Sequence, residues 1–588
     1  MWKAALRPSF VSDTHGAISI VGALVLPVLL GMSGLALEYG GAMLAKVETQ
    51  RVADLTAMAG ADAYARYQRL SDATMAAESV AVLNGIPRDR ITITLEPSPA
   101  APGTMAVQSE ITTQRTLSLA RVLNARQYLD VTVVALAGRI EGAPACIQAL
   151  DPSGSGVTLG GGTSITANDC GVASNATVTT PCGTSMTTSA VTYNSAAPPT
   201  QCNNILSPGG GPAPLVRGTT PDPLAGSSAV ALAATNLAVV AGLTVPVVAA
   251  GGDIDFGNKE AATQQQAAAV GCAADYNRSQ KLWTFTCPGQ TTVNLGNITL
   301  ASNMSLDFGY GAPATTAYNI SGTVENAGNN MRFAPGIYTI AEGISVDSGA
   351  TTEFDGGSFR VGPASSGNAI KVNSNATLTL GDPLVIGEIF QIFGDVDTSA
   401  NSCLTFGAAE NHELAGAVEA SGGIIFGAGV YTIDGYLHLG PGAAVHCAGA
   451  DISFQAIDTA IILSGQGADS AGPQCRNQAF CSTSGYQSMR ITASTTGPFA
   501  KVAIIGPLDT AVTYGASMHS GGFEGEISGA FYFPNGPISL SGGANVSGGA
   551  DACLQLIGST VTLSGGATAA SDCVDAVAGS GGTTRLLR

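Results

Sequence analysis

Twelve cysteines are the residues in this chain best placed for covalent chemistry: Cys146, Cys170, Cys182, Cys202, Cys272, Cys287, Cys403, Cys447, Cys475, Cys481, Cys553 and Cys573. A cysteine can be a metal ligand, a nucleophile or half of a disulfide. Structural zinc sites need short paired spacings, such as two C-x₂-C knuckles, and none occur here. An even count in a chain of low charge density points instead to a disulfide set and an oxidising compartment. Spacing does not fix connectivity. Pairing between sequence neighbours is the simplest expectation: Cys146–Cys170, Cys182–Cys202, Cys272–Cys287, Cys403–Cys447, Cys475–Cys481 and Cys553–Cys573. Its support is a repeat, since Cys146 and Cys553 both open Cys-(Ile/Leu)-Gln, and Cys170 and Cys573 both close Asp-Cys.

Other reactive residue types are sparse. Asp151-Pro-Ser-Gly-Ser155 fits D-x-S-x-S, which resembles the start of the metal site of von Willebrand A domains. A carboxylate with two hydroxyls suits a hard cation. The sequence that follows is Gly-rich and strand-like rather than helical, so a turn is the expected reading. The histidines are His15, His412, His438, His446 and His519, and none has metal-ligand spacing to a cysteine or another histidine. Asp347, Asp355, Asp434 and Asp451 could face outward together, as in β-helix enzymes that degrade pectin, but outward Asp on turns is the simpler reading. G-x-S-x-G, H-E-x-x-H and P-loop motifs do not occur. The expectation is a protein that is not an enzyme, with no catalytic set, no cofactor and no resident metal. A formal charge of −18 argues against nucleic acid as a partner.

The elements that must position these residues follow from composition. At 588 residues the chain exceeds one ordinary core. It holds 76 Gly, and charged residues are 11%, against a typical ~25%. That suits short strands and tight turns more than helix bundles. Apolar residues alternate at Ile91, Ile93 and Leu95, at Met105 and Val107, and at Leu129, Val131 and Val133. Residues 88–145 therefore read as a small α+β region, with a short helix expected near residues 116–124. Beyond it lie internal copies. Val157-Thr-Leu recurs as Val561-Thr-Leu, and Ile538-Ser-Leu is a partial third copy. Residues 333–361 align without gaps to 426–454, at an offset of 93. Circuits of about 23 residues with glycine corners fit a right-handed parallel β-helix-like solenoid. A Greek-key β-sandwich is the alternative. The expected order is a first β repeat region at 146–207, a Pro/Gly linker at 208–228 and a Gly-rich β-solenoid at 229–588. Residues 229–250 are uncharged for twenty-two positions, which makes them a second span candidate by length. Pro246 and Asn236 favour a buried helix or strand pair.

The N-terminus is different in kind. Residues 17–37 carry no charge, and at about 1.5 Å per residue they reach across a ~30 Å hydrocarbon core. Lys3 and Arg7 precede them and Glu38 follows, so residues 1–16 are expected in the cytoplasm and the bulk outside. Leu44, Val47, Leu55 and Met58 continue one apolar helical face, and a stalk helix is expected over 38–87, stopped by Gly85 and Pro87.

Four strings here carry a family pattern: Thr14-His-Gly-Ala-Ile-Ser-Ile, Leu26-Pro-Val-Leu-Leu, Leu37-Glu-Tyr-Gly, and the helix from Gln50 to Ala61 reading Gln-Arg-Val-Ala-Asp-Leu-Thr-Ala-Met-Ala-Gly-Ala. Together they resemble the N-terminus of TadG-like proteins, pseudopilin-like components of the bacterial Flp/Tad tight-adherence pilus system. The resemblance covers roughly residues 10–65. It implies a single-pass protein of the bacterial inner membrane, with other pilus or envelope components as partners. Prepilins cleaved by their peptidase usually carry Glu five residues after the cleavage-site Gly. After Gly16 that position is Val21, so a retained anchor is expected. A structural role in pilus assembly or attachment is the leading expectation. The alternatives are an adhesin that binds surface glycans through the solenoid, and a polysaccharide-active enzyme.

Overall fold

The computed structural model describes residues 15–67, 69–98, 105–117, 127–141, 144–199, 202–382, 389–440, 447–448, 450, 452–486, 488–519, 524–548, 553–571 and 582–587. The chain divides into two compact units. One takes residues 1–141 with 582–588, and the other residues 142–581.

The first unit is built on α1 (His15–Tyr67), 53 residues long. Its N-terminal part is apolar enough to cross a membrane, with a mean hydropathy of 2.3 and no buried residue in its most apolar window. Further along, one face becomes small and buried: Ala53, Thr56, Ala57 and Ala61. Leu44, Val47, Leu55 and Met58 stay exposed on α1. The single stalk helix expected over 38–87 is corrected. α1 ends at Tyr67 and a second helix, α2 (Leu70–Leu83), packs against it after extended backbone at Arg69. The physical reason is the match of small faces. Ala73, Ala77 and Ala81 of α2 are fully buried. A Cβ placed on Gly60 would lie 3.3 Å from Ala77 Cβ and 3.0 Å from Val107 Cγ1. Two such faces bury more surface folded together than they would in line. α2 ends where expected, with Gly85 at φ +82° and Ile86 N–H bonded to Ala81 O.

Three antiparallel strands lie against these helices: β1 (Ile91–Pro97), β2 (Met105–Thr116) and β3 (Tyr128–Glu141). Thr116 closes β2, and the rest of the helix expected near 116–124 falls almost wholly outside the described residues. The fourth strand is Gly582–Leu586, paired antiparallel to β3 with Ala137 opposite Leu586. Residues 582–586 therefore complete the sheet begun by β1, β2 and β3.

Among the described residues the second unit is mainly β, in one 42-stranded sheet. Its strands are short, and most pair in parallel with the third strand after them. One ladder runs through Ala317–Ile320, Gly336–Ile340, Gly357–Val361, Ile389–Ile392, Asn411–Leu414 and Gly429–Ile433. Two others run in the same way through Ile344–Val346 and through Thr351–Phe354. Three strands thus make one circuit. Alternate side chains point inward, and the inward ones form a continuous core. Rings fill much of it: Tyr338, Phe359, Phe390, His412 and Tyr431 occupy successive circuits. That column explains the 93-residue copy, since Tyr338 and Tyr431 stand four circuits apart in matching register. Corners use left-handed backbone, as at Asn303 with φ 61° and Asn375 with φ 59°.

The expected division into a first β region, a linker and a second β region is corrected. Stacking starts near residue 252 and proceeds to 571, and residues 145–217 then continue the same ladders beyond 571. Val157-Thr-Leu lies in register on Val561-Thr-Leu, which lies on Ile538-Ser-Leu. The copies are neighbours because identical circuits stack best on one another. The supposed linker is bound to the ladder. Leu215–Arg217 pairs with Val191–Tyr193, Pro221 O accepts from Gln148 Nε2 at 2.8 Å, and Asp222 accepts from the Tyr532 hydroxyl at 2.7 Å. Gln148 and Tyr532 are nearly buried polar side chains that need such partners.

Residues 229–250 resolve into α3 (Ser228–Ala241) and an extended stretch. Ser227 caps α3 by accepting from Val230 N–H. Ala229, Ala233 and neighbours pack on Ala460, Ile462, Ile505 and Ile557. At 14 residues α3 is too short to span a bilayer. Residues 242–250 are neither helix nor strand, and Val247 is 98% exposed. A further helix, α4 (Glu260–Ala269), packs beside the strands Gly252–Phe256 and Ala273–Asn277.

Candidate functional site

The cysteines are placed at structural positions. Disulfides join Cys146 to Cys170, Cys182 to Cys202, Cys272 to Cys287, Cys403 to Cys447 and Cys475 to Cys481. Cys553 is also disulfide-bonded, and Cys573 lies outside the described residues. Two bridges lie at the ends of the stack. Cys182–Cys202 braces the last circuits, and Cys272–Cys287 joins the end of α4 to the antiparallel strand pair of the first. Ends are where a ladder exposes unpaired edges, so cross-links there resist fraying and edge-to-edge association.

Asp151 serves a turn. Its Oδ1 accepts from Ser153 N–H and Ser153 Oγ, both at 2.8 Å, and these bonds lower its pKa. Among the described residues no group of three His, Cys, Asp or Glu could hold a metal ion. Asp347, Asp355 and Asp434 each follow a strand of a different ladder, so they stand at three different corners and do not gather. Asp355 accepts from the Tyr310 hydroxyl and pairs with Arg332 at 3.5 Å. Asp451 and His446 lie outside the described residues. His412 is fully buried, with Nε2 2.8 Å from Gly407 O, and burial pushes its pKa down to about 3. His519 meets the Ser541 hydroxyl, and burial lowers its pKa as well.

A different set does gather. One outward column runs Lys371, Asp397, Glu419, His438 and Cys481 on successive circuits. Burial raises the Asp397 pKa; Lys371 opposes that shift, and Glu419 and Asp395 add to it. The Tyr436 hydroxyl donates to Glu419 Oε1 at 2.6 Å, and its ring lies 4.1 Å from that of His438. His438 Nε2 is 2.9 Å from Gln478 O. Burial is the main cause that lowers the His438 pKa, so the ring is neutral near pH 7. Beside Glu419 and His438 is a cavity of about 300 Å³, whose far wall is Gly472, Pro473, Gln474 and Cys475. The Cys475–Cys481 bridge ties that wall to the column. Inspection of isolated motifs misses this set. The signal was alternation: Glu419 and His438 each sit mid-strand between apolar neighbours and Asp397 follows Val396, roughly one circuit apart.

Fold and sites define a class: a long apolar helix and small α+β unit joined in sequence to a disulfide-bearing, largely parallel β unit. Within it, residues 16–63 match the family model described as putative Flp pilus-assembly TadE/G-like, so this N-terminal segment is similar to that family. The comparisons with curated proteins and with solved structures found no match.

Proposed function

We propose that the protein is a structural component of a Flp/Tad-type pilus-assembly or surface-attachment system. It is held in the inner membrane by a single pass of α1, with residues 142–581 outside the cytoplasm. In this reading the parallel ladders form a right-handed β-helix solenoid, and the chain is not an enzyme. The observation that carries the proposal is the overlap of the TadE/G-like segment with a helix fit to span and to build a core. The matched residues include both the exposed apolar stretch of α1 and the Ala53, Ala57 and Ala61 face that packs on α2 and the sheet. The six bridged sites agree with an oxidising compartment. The test is deletion of the gene in its own host, with complementation by the full chain and by a chain carrying Gly60→Leu. Loss of surface pili and attachment on deletion, restored by the full chain alone, is the expected result. Unchanged piliation would overturn the reading.

A further inference from the structure

The cavity beside Glu419 and His438 has two acceptors on its near wall. Glu419 is a carboxylate on its wall, oriented by the Tyr436 hydroxyl at 2.6 Å. His438 is 6% exposed, and its Nε2 lies 2.9 Å from the Gln478 carbonyl. A carbonyl oxygen only accepts, so Nε2 carries the proton and Nδ1 of the neutral ring keeps a lone pair. That Nδ1 has no hydrogen-bond partner among the described residues. Two acceptors on one wall call for a ligand rich in N–H and O–H. Asp397 and Asp395 lie nearby, against Lys371 as the one cation of the column, so positive charge is favoured. Ser421, Thr483 and Gln474 add hydroxyl and amide groups, while Pro473 and Ala420 offer small apolar surface. About 300 Å³ accommodates a single pyranose ring.

We infer that this cavity binds a protonated amino sugar, with the ligand ammonium on Glu419 and a neighbouring hydroxyl on His438 Nδ1. The site lies on the outward column of the ladder and does not depend on the pilus reading. A glycan bearing free amines, as in a de-N-acetylated hexosamine polymer, is the ligand class. A lysine side chain from a partner protein carries the same ammonium but not the hydroxyls.

Calorimetric titration of the full chain in detergent tests this, with a β-1,4-linked glucosamine tetramer, its N-acetylated counterpart and tetralysine as probes. The glucosamine tetramer should saturate the protein and the N-acetylated one should not. Glu419→Gln keeps an acceptor for Tyr436 and should weaken binding about tenfold, the effect of losing one charge-assisted bond. Glu413→Gln, on a different ladder, should leave it unchanged. Absence of saturation by the glucosamine tetramer at about 10 mM would overturn the inference. So would equal binding of the N-acetylated form, insensitivity to Glu419→Gln, or tighter binding of tetralysine.

Discussion

His412 takes the place of an aromatic ring inside the ladder. Its centroid is 3.8 Å from that of Tyr431 and 4.7 Å from that of Phe390, both stacked. In this position the neutral ring is an adequate filler and the charged ring is not. The folded pKa of about 3 lies below the ordinary 6.5, so the folded state refuses a proton that the unfolded state accepts. The sign follows. Above pH 6.5 neither state is protonated and the full stability is present. As pH falls from there toward 3, stability declines by ~1.4 kcal/mol per pH unit from this group. His412→Phe should flatten that slope. Urea midpoints of both proteins at pH 7 and pH 4.5 measure it, and an equal acid shift would show that His412 is not its source. Gly60 is the matching position in the first unit. A side chain there meets Ala73 O, Ala77 and Val107. Gly60→Leu should cost about 2–3 kcal/mol and loosen α2, read as faster amide exchange over residues 70–83. At this scale the sequence was legible for residues with local partners. The Asp151 turn follows from spacing and residue type, and the described Cys pairs join sequence neighbours, a connectivity that spacing alone left open. Glu419 and His438 were not legible, because circuits of unequal length hide which outward residues become adjacent.

Among the elements, α3 shows how a hydrophobic stretch long enough for a bilayer becomes a cover for a sheet. The outward face it protects is unusually apolar, with Ile462, Ile505 and Ile557 in successive positions and Tyr532 between. Ala233 is fully buried in that contact. Ala233→Glu would bury an unpaired carboxylate, so α3 should detach. Hydrogen exchange is expected to rise over residues 228–241 while strands such as Phe454–Leu463 keep their protection. A loss of protection across the whole β unit would instead make α3 part of its nucleus. The glycine corners and the four-circuit repeat marked the β elements in sequence. The break between α1 and α2 was not marked, since no glycine or proline interrupts residues 61–83. Only the complementary alanine faces require the turn, and those are a tertiary property. The same holds for residues 208–228, whose prolines suggested a free linker while Gln148 and Tyr532 supplied the reason to bind it.

At the scale of the molecule, chain order and stacking order differ. The ladders of residues 145–217 continue from Leu554–Gly558, Val561–Leu563 and Thr568–Ser571, strands made much later. The strand Gly582–Leu586, needed by β3, comes later still. The circuits at 145–217 therefore lack their seat until residues 554–571 have been made, a non-local arrangement that slows folding. Leu563 is fully buried in the seat. Leu563→Asp in the full chain should remove exchange protection from residues 157–217 and leave 292–463 protected. Independent protection of 157–217 in that variant would show that those circuits fold alone. The sequence displayed the matching copies at 146–170 and 553–573 but not their contact, because similarity between circuits does not state which ones touch.

In the proposed topology α1 anchors this chain with its disulfide-bearing β unit outside the cytoplasm. A peptide map under non-reducing conditions tests this topology, on protein from intact native membranes whose free thiols were alkylated before lysis. Linked peptides are expected for Cys146–Cys170, Cys182–Cys202, Cys272–Cys287, Cys403–Cys447 and Cys475–Cys481. Recovery of these cysteines as alkylated free thiols would contradict the topology.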